Sequence, residues 1–314
     1  MARVSRIVIT DCDHPTTEIE RAIFARAGYE AELAQCHTAD EVIAAGAGAV
    51  ALLTQYAPIT DAVLAALPTV RVIGIYGASH DNVELPAAVR RGLPVVNVPD
   101  YGVDEVADHT VGLILALTRG IVALDRAVHA GTWDFRSAGE LRRGSGQQVG
   151  VVGLGLIGSA VARRALALRF RVLAADPRWP AVEGVRLVEL EELLATSDIV
   201  SVNTRLDPST RHLLDAGALA RMKPGAYLVN TSRGGVVDQA ALVEALRSGH
   251  LGGAALDVLE REPIAPDDPL LSLPNVVLTP HAAFYSRESL VEMKRRAAEA
   301  ITAALADRGP MDQG

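Results

Sequence analysis

Gln148 to Asp176 reads QVGVVGLGLIGSAVARRALALRFRVLAAD. Val149, Val151 and Val152 form a short apolar run suited to a buried parallel strand. Gly153, Gly155 and Gly158 follow in the spacing G-x-G-x-x-G, and Ser159–Leu168 is rich in alanine, arginine and leucine, all good helix formers. Phe170–Ala175 is a second apolar run, closed by Asp176. The spacing has a chemical reason. Gly153 allows a tight turn, Gly155 lets a pyrophosphate approach the backbone, and Gly158 lets helix and strand pack closely. The helix start adds unpaired N–H groups and a positive dipole end for the phosphates. Asp176 stands about 20 residues beyond the glycines, where a ribose-binding acid is expected. Its carboxylate can accept from both ribose hydroxyls and repels a 2′-phosphate. That favours NAD over NADP, and the nearby Arg178 weakens the preference slightly.

Outward from this stretch the chain alternates. Before it, Arg6–Thr10, Ala49–Thr54, Val70–Tyr76 and Pro94–Val98 read as apolar strands, with helices expected at Glu18–Ala27, Ala39–Ala45, Asp61–Ala66 and Val83–Arg91. This is a parallel α/β sheet covered on both faces, without a glycine fingerprint of its own. After the turn Pro99-Asp100-Tyr101-Gly102, one long helix is expected up to about Gly131. Gly112 and Gly120 inside it cost helix propensity, which points to close packing at both. A polar loop with Trp133 and Phe135 follows. Beyond the fingerprint, strands are expected at Ile199–Asn203, Ala226–Asn230, Gly253–Leu256 and Val276–Leu278. Asp238 reads as the N-cap and Gly249 as the C′ residue of a helix over Gln239–Ser248. A last amphipathic helix, Ser286–Ala306, is expected to return to the first domain.

Composition narrows the function. The 314 residues suit two domains, 49% of them are hydrophobic, and the formal net charge of −8 argues against nucleic acid as a partner. Lys223 and Lys294 are the only lysines, so nearly all positive charge is arginine, which reads as compositional bias. The N-terminus MARVSRIVITD has no signal-peptide h-region, and no apolar run of about 18 residues reads as a membrane span. Cys12 and Cys36 are too few for a disulfide framework, which fits a reducing cytoplasm. The histidines lack ligand spacing, so no metal site is expected.

Three charged motifs follow the fingerprint, each just past a strand end: VNTSRGGVVD with Arg233, ALDVLEREP with Asp257 and Glu262, and LTPHAAF with His281. Ligands of open parallel sheets bind outside the carboxyl ends of the strands, so all three point towards the dinucleotide. Each taken singly also has a bland reading: a surface cation, a solvated acid, a core histidine.

The fingerprint GLGLIG, NTSRGGVVD, GAALDVLEREP and TPHAAFYS stand in an order and at separations that resemble the D-isomer-specific 2-hydroxyacid dehydrogenase family, over essentially the whole chain. The aromatic Phe284 after the histidine is most similar to the C-terminal-binding-protein branch. The resemblance implies two doubly wound α/β domains: a Rossmann NAD-binding domain (99–284) inserted into a flavodoxin-like substrate domain (1–98 and 285–314). It implies that they close over substrate by a hinge. It implies that Arg233 binds the substrate carboxylate and carbonyl, that His281 is the general acid or base, and that Glu262 pairs with it. The chemistry agrees. Reducing a ketone needs a proton donor at its oxygen, a guanidinium matches a carboxylate fork, and a carboxylate beside imidazole stabilises the imidazolium.

By the same resemblance, Gly153, Gly155, Leu156, Ile157, Gly158, Asp176, Asn203, Thr204, Thr210, Thr231, Ser232, Arg233, Asp257, His281 and Thr110 line the cofactor. Asp257 is expected to accept from the nicotinamide amide. Tyr76, Gly77, Ala78, Ser79, Arg233, His281 and Phe284 are the expected substrate contacts, with the carboxylate on the N–H groups of Ala78 and Ser79. Ser79 stands where the family usually has glycine, Leu156 where arginine is frequent, and Arg205 where proline is frequent.

The expectation is therefore an NAD-dependent oxidoreductase interconverting a 2-oxo acid and a D-2-hydroxy acid. The alternative is an NAD(H)-sensing, corepressor-like binding protein. The end of the chain at Gly314, without a long extension or regulatory domain, favours the enzyme. A homodimer is expected by resemblance, with the apolar stretch Val111–Leu124 at its interface.

Overall fold

The computed structural model describes residues 5–178 and 182–308. The outermost residues of the expected substrate domain, 1–4 and 309–314, lie outside the described residues. The chain divides into two compact units, Met1–Tyr101 with Ser286–Gly314, and Gly102–Tyr285.

The first unit contains β1 (Ser5–Ile9), α1 (Glu18–Arg26), β2 (Tyr29–Leu33), α2 (Ala39–Gly46), β3 (Ala49–Thr54), α3 (Asp61–Ala66), β4 (Val72–Ile75), α4 (Leu85–Arg90) and β5 (Val95–Val96). Its parallel sheet runs in the order β2-β1-β3-β4-β5, the flavodoxin-like arrangement. β3 is buried along its whole length, as a central parallel strand requires. The sheet's two faces carry separate cores, one around Val8, Leu52, Ile59 and Ile73, the other around Ile7, Ile9, Phe24 and Leu53. The chain's final helix, which follows all the elements of the second unit, closes the latter core with Met293, Ala297, Ala298, Ile301 and Leu305.

The second unit begins with α5 (Val103–Thr118) and α6 (Ile121–His129). It continues with β6 (Gln148–Val152), α7 (Leu156–Ala167), β7 (Arg171–Ala175), β8 (Arg186–Leu187), α8 (Leu190–Thr196) and β9 (Ile199–Val202). Then come α9 (Ala216–Arg221), β10 (Ala226–Asn230), α10 (Gln239–Arg247), β11 (Leu251–Leu256) and β12 (Val276–Leu278). The final helix, α11, spans Arg287–Asp307. The second sheet has the order β12-β11-β10-β9-β6-β7-β8, and its strands pair in parallel. The order reverses between β6 and β9, the topological switch point at which a doubly wound sheet binds its ligand.

The expected caps hold: Asp238 accepts from the Ala241 N–H at 3.0 Å, and Gly249 has a φ of +74°. The expected single helix after Gly102 does not. It is broken at Gly120, which takes a left-handed φ of +61° and whose added Cβ would lie 2.8 Å from the Ala138 Cβ. Gly112 is also corrected, since a Cβ there would meet nothing within 4 Å, so close packing does not select it. The apolar character of Val111, Leu113, Ile114 and Leu117 is spent inside the unit, where all four are buried in its core. Two strands escaped the sequence reading. β2 is an edge strand of sequence YEAEL with no fully buried residue, and β8 has only 2 residues.

Candidate active site

The glycine fingerprint lies where β6 meets α7. Gly153 has a φ of +88°, and a Cβ there would lie 2.8 Å from the Thr204 nitrogen. Only glycine combines that backbone with that proximity. A Cβ on Gly158 would fall 1.9 Å from the Gly153 carbonyl oxygen, so helix and turn touch backbone to backbone. Ser159 donates the first helical bond to Gly155 at 2.9 Å. The N–H groups of Leu156, Ile157 and Gly158 therefore stay outside the helical ladder, as a helix start leaves them. Leu156 is half-exposed at this start, while Ile157 leans on the core.

An open cleft of about 650 Å³ sits at the switch point, lined by Gly153, Gly155, Asp176, Arg178, Asn203, Thr204 and Arg205. Asp176 accepts from the Leu154 N–H at 2.8 Å and the Arg178 N–H at 2.9 Å, which fixes its carboxylate at the end of β7. Asn203 turns its amide nitrogen to Ser201, and its side-chain oxygen is buried without a hydrogen-bond partner. A glycine cradle that side chains would fill, a carboxylate at the rim and an unsatisfied buried acceptor suit a dinucleotide. Thr210 lies in the loop after β9. Its hydroxyl folds its own loop, accepting from Asp207 N–H at 2.8 Å and donating to the Arg205 carbonyl at 2.8 Å.

The charged motifs gather at the ends of β10, β11 and β12. Asn230, almost fully buried, organises the first: its oxygen accepts from the Ser232 N–H and hydroxyl, and its amide donates to the Arg233 carbonyl at 2.9 Å. Arg233 turns Nη1 onto the Ser232 carbonyl at 2.7 Å. Gly234 then packs directly on the next motif, since a Cβ there would lie 1.9 Å from the Leu259 carbonyl carbon. Leu259 donates its N–H to Glu262 Oε1 at 2.9 Å, and Glu262 Oε2 meets His281 Nδ1 at 2.6 Å. Nε2 is left as the ring nitrogen outside that bond. Burial alone would raise the Glu262 carboxyl. Hydrogen bonds from His281 and Leu259, with the charges of His281 and Arg233, outweigh it and hold the group below its ordinary value.

His281 itself has a φ of +52°, unusual for a side chain this large. Asp257 holds that conformation from beneath. Its main-chain oxygen accepts from His281 N–H at 2.8 Å, and its carboxylate accepts from the Thr279 hydroxyl at 2.6 Å and from the N–H groups of Ala282 and Ala283 at 2.9 Å. The carboxylate expected to meet the nicotinamide amide is thus already engaged by three donors from the histidine turn. His109, which the sequence reading passed over, lies 3.1 Å from the Thr279 hydroxyl through Nε2. Because that hydroxyl donates to Asp257, Nε2 of His109 is the donor in this contact. Thr110 and Thr231 share a hydrogen bond of 2.7 Å next to it, and the Phe284 ring stands edge-on to His281 at 6.4 Å.

In the first unit, the loop Gly77–Ser79 follows β4. Tyr76 departs from its expected role as a substrate contact. Its side chain is turned into the core, where the hydroxyl donates to Glu20 at 2.6 Å. Among the described residues, no cluster of three or more histidine, cysteine or acidic side chains could hold a metal ion. No helix among them is long and apolar enough to cross a membrane.

Residues 111–283 match the family described as D-isomer specific 2-hydroxyacid dehydrogenase, NAD binding domain. The chain belongs to the D-isomer-specific 2-hydroxyacid dehydrogenase family. It is 44% identical over 261 residues to a glyoxylate reductase of Korarchaeum cryptofilum, covering 81% of this chain and 78% of that protein. It is 42% identical over 246 residues to a D-3-phosphoglycerate dehydrogenase of Archaeoglobus fulgidus, covering 76% of this chain but 46% of that longer protein. The fold superposes with a TM-score of 0.88 on the D-lactate dehydrogenase of Aquifex aeolicus complexed with NAD and lactic acid, at 26% identity over 96% of both chains. As a member of this dehydrogenase family, the protein is an oxidoreductase that uses a nicotinamide dinucleotide. None of these relatives supports the likeness to the C-terminal-binding-protein branch read from Phe284.

Proposed function

We propose that the protein reduces a small 2-oxo acid to the D-2-hydroxy acid, with NADH as the preferred cofactor and glyoxylate as the first candidate substrate. The observation that carries this reading is the Glu262–His281 contact of 2.6 Å, built on the same packed turns as Arg233. A bound nicotinamide dinucleotide supplies the hydride. The guanidinium of Arg233 binds the substrate carboxylate and polarises its carbonyl. His281 holds a proton on Nε2 for the carbonyl oxygen, and the ionised Glu262 fixes the ring through Nδ1. The N–H groups of Ala78 and Ser79 hold the substrate carboxylate. Asp176 takes the ribose, the glycine turn takes the pyrophosphate, and Asn203, Thr204, Thr231 and Thr110 line the remainder. The free, buried Cys12 and Cys36 suit a reducing cytoplasm.

The test is a screen of glyoxylate, pyruvate and hydroxypyruvate with NADH and NADPH, read as loss of nicotinamide absorbance. Turnover with NADH preferred is the expected result. A preference for NADPH would shift cofactor choice from Asp176 to Arg178 and Arg205, which line the same cleft. NADH binding without turnover of any acid would favour the sensing alternative.

The same reading includes a homodimer, with its interface moved from the buried face of α5 to α6 and the turn after it. Ile121 and Val128 on α6 are 53% and 46% exposed, and Trp133 and Phe135 are 90% and 84% exposed. α6 packs against the turn that carries Phe135, so these side chains come from neighbouring elements. Such apolar exposure marks an association surface. Light scattering is expected to give twice the chain mass, and Trp133→Asp with Phe135→Asp to lower it. A monomer at micromolar concentration would reject the dimer.

A further inference from the structure

The first unit buries a set of ionisable side chains that the reaction does not use. Glu20 is fully buried, and Lys294, Tyr76 and His14 are 4%, 5% and 9% exposed. The Tyr76 hydroxyl donates to Glu20 Oε1 at 2.6 Å, with Lys294 Nζ 3.9 Å from the same oxygen. Lys294 donates to the Thr16 carbonyl, and the His14 ring stands edge-on to Tyr76 at 5.4 Å. Glu20 Oε2 and His14 Nε2 have no hydrogen-bond partner. Such a group is poor as a source of stability, because desolvation offsets most of its attraction. Its value lies in fixing one arrangement. Burial and the Glu20 charge hold the Tyr76 phenol far above its ordinary pKa, so it stays a donor at any working pH.

What this arrangement fixes is the start of the loop Gly77–Ser79. Tyr76 ties its N–H to the Thr54 carbonyl at 2.9 Å and its hydroxyl to Glu20, so both ends of the residue are anchored. The Gly77 carbonyl accepts from the Val98 N–H at 3.0 Å, and the Ala78 carbonyl accepts from the Asn97 amide at 2.7 Å. In a trans peptide the N–H points opposite to the C=O. The Ala78 N–H therefore points away from the Val98 N–H, and the Ser79 N–H points away from the Asn97 amide. Gly77, at a φ of +102°, takes the left-handed backbone with which the chain turns out of Tyr76 into the loop.

We propose that Tyr76 is a positioning residue for substrate binding, which through its bond to the buried Glu20 sets the peptide planes whose N–H groups hold the substrate carboxylate. This rests on the reading that the loop Gly77–Ser79 takes that carboxylate. The test uses the best substrate among glyoxylate, pyruvate and hydroxypyruvate. For Tyr76→Phe, KM for the acid is expected to rise about tenfold, the loss of roughly one hydrogen bond to a charged group. kcat and the NADH Kd stay near wild type. Glu20→Gln keeps an acceptor for the hydroxyl but takes the carboxylate from Lys294. It is expected to lower Tm while KM stays near wild type. Should Tyr76→Phe alone fail to fold, the triple variant Tyr76→Phe, Glu20→Gln and Lys294→Met removes both buried charges, and its KM is expected to match the tenfold rise. An unchanged KM with a lowered Tm would overturn the proposal and reduce the cluster to a packing feature. If wild-type protein reduces none of the acids, the reading of the loop and this role for Tyr76 fall together.

Discussion

Replacing His281 by alanine is expected to lower kcat for 2-oxo acid reduction by about 10²–10⁴, with NADH binding largely unchanged. The side chain is one-third exposed and contributes nothing to the hydrophobic core, so the loss is one of chemistry rather than folding. The backbone needs its own control, because the φ of +52° is unfavourable for alanine. Asparagine tolerates left-handed backbone and cannot protonate a carbonyl, so His281→Asn separates a lost acid from a distorted turn. If either variant, correctly folded, kept wild-type turnover, His281 would not be the proton donor. Glu262→Gln supplies the pH arm of the same experiment. Glu262 is held below its ordinary value, so it stays ionised across the neutral range and is not itself the group that titrates there. Glutamine can still accept from the Leu259 N–H but removes the negative charge that holds the ring, so kcat for reduction is expected to fall across the pH profile. An unshifted profile with unchanged turnover would take Glu262 out of the mechanism.

Much of this candidate site is legible in the sequence, and the reason is local. Gly153, Gly158 and Asp176 belong to one continuous strand-turn-helix-strand run whose backbone geometry admits few other residues. Arg233, Glu262 and His281 each follow an apolar strand, and a parallel sheet aligns its strand ends without further information. What stayed hidden depends on partners far apart in sequence. His109 meets Thr279 across 170 positions, and Tyr76 meets Glu20 across 56. A tyrosine beside a glycine loop reads as a substrate contact until its hydroxyl is seen pointing inward. Asn230 was legible only as the last residue of a strand, although its side chain folds the turn that presents Arg233.

The departures of the fold from the expected elements have similar causes. The residues after Gly102 carry helical periodicity through Gly120, and only the approach of Ala138 shows why the helix breaks there. The strand YEAEL at the edge of the first sheet alternates glutamate with residues that are only half-buried, so it lacks the continuous apolar run of its neighbours.

The second large effect is expected at Arg233. Arg233→Lys is expected to lower kcat/KM for the 2-oxo acid by about 10²–10³, in the range seen when one fixed donor to a developing oxyanion is removed. Lysine keeps the charge, so the comparison isolates geometry. The guanidinium is planar, and its Nη1 is already fixed on the Ser232 carbonyl at 2.7 Å, which orients the fork before substrate arrives. An ammonium on a flexible four-carbon stem has no plane to orient and cannot give two parallel bonds to a carboxylate. Because the positive charge beside Glu262 survives, that carboxylate stays depressed and the pH profile is not expected to move. A fall in kcat/KM with a fixed profile is thus the signature of lost bidentate binding. A moved profile would mean that Arg233 acts mainly through the Glu262–His281 pair. Wild-type kcat/KM in the lysine variant would show that charge alone suffices and that the fork has no part in substrate recognition.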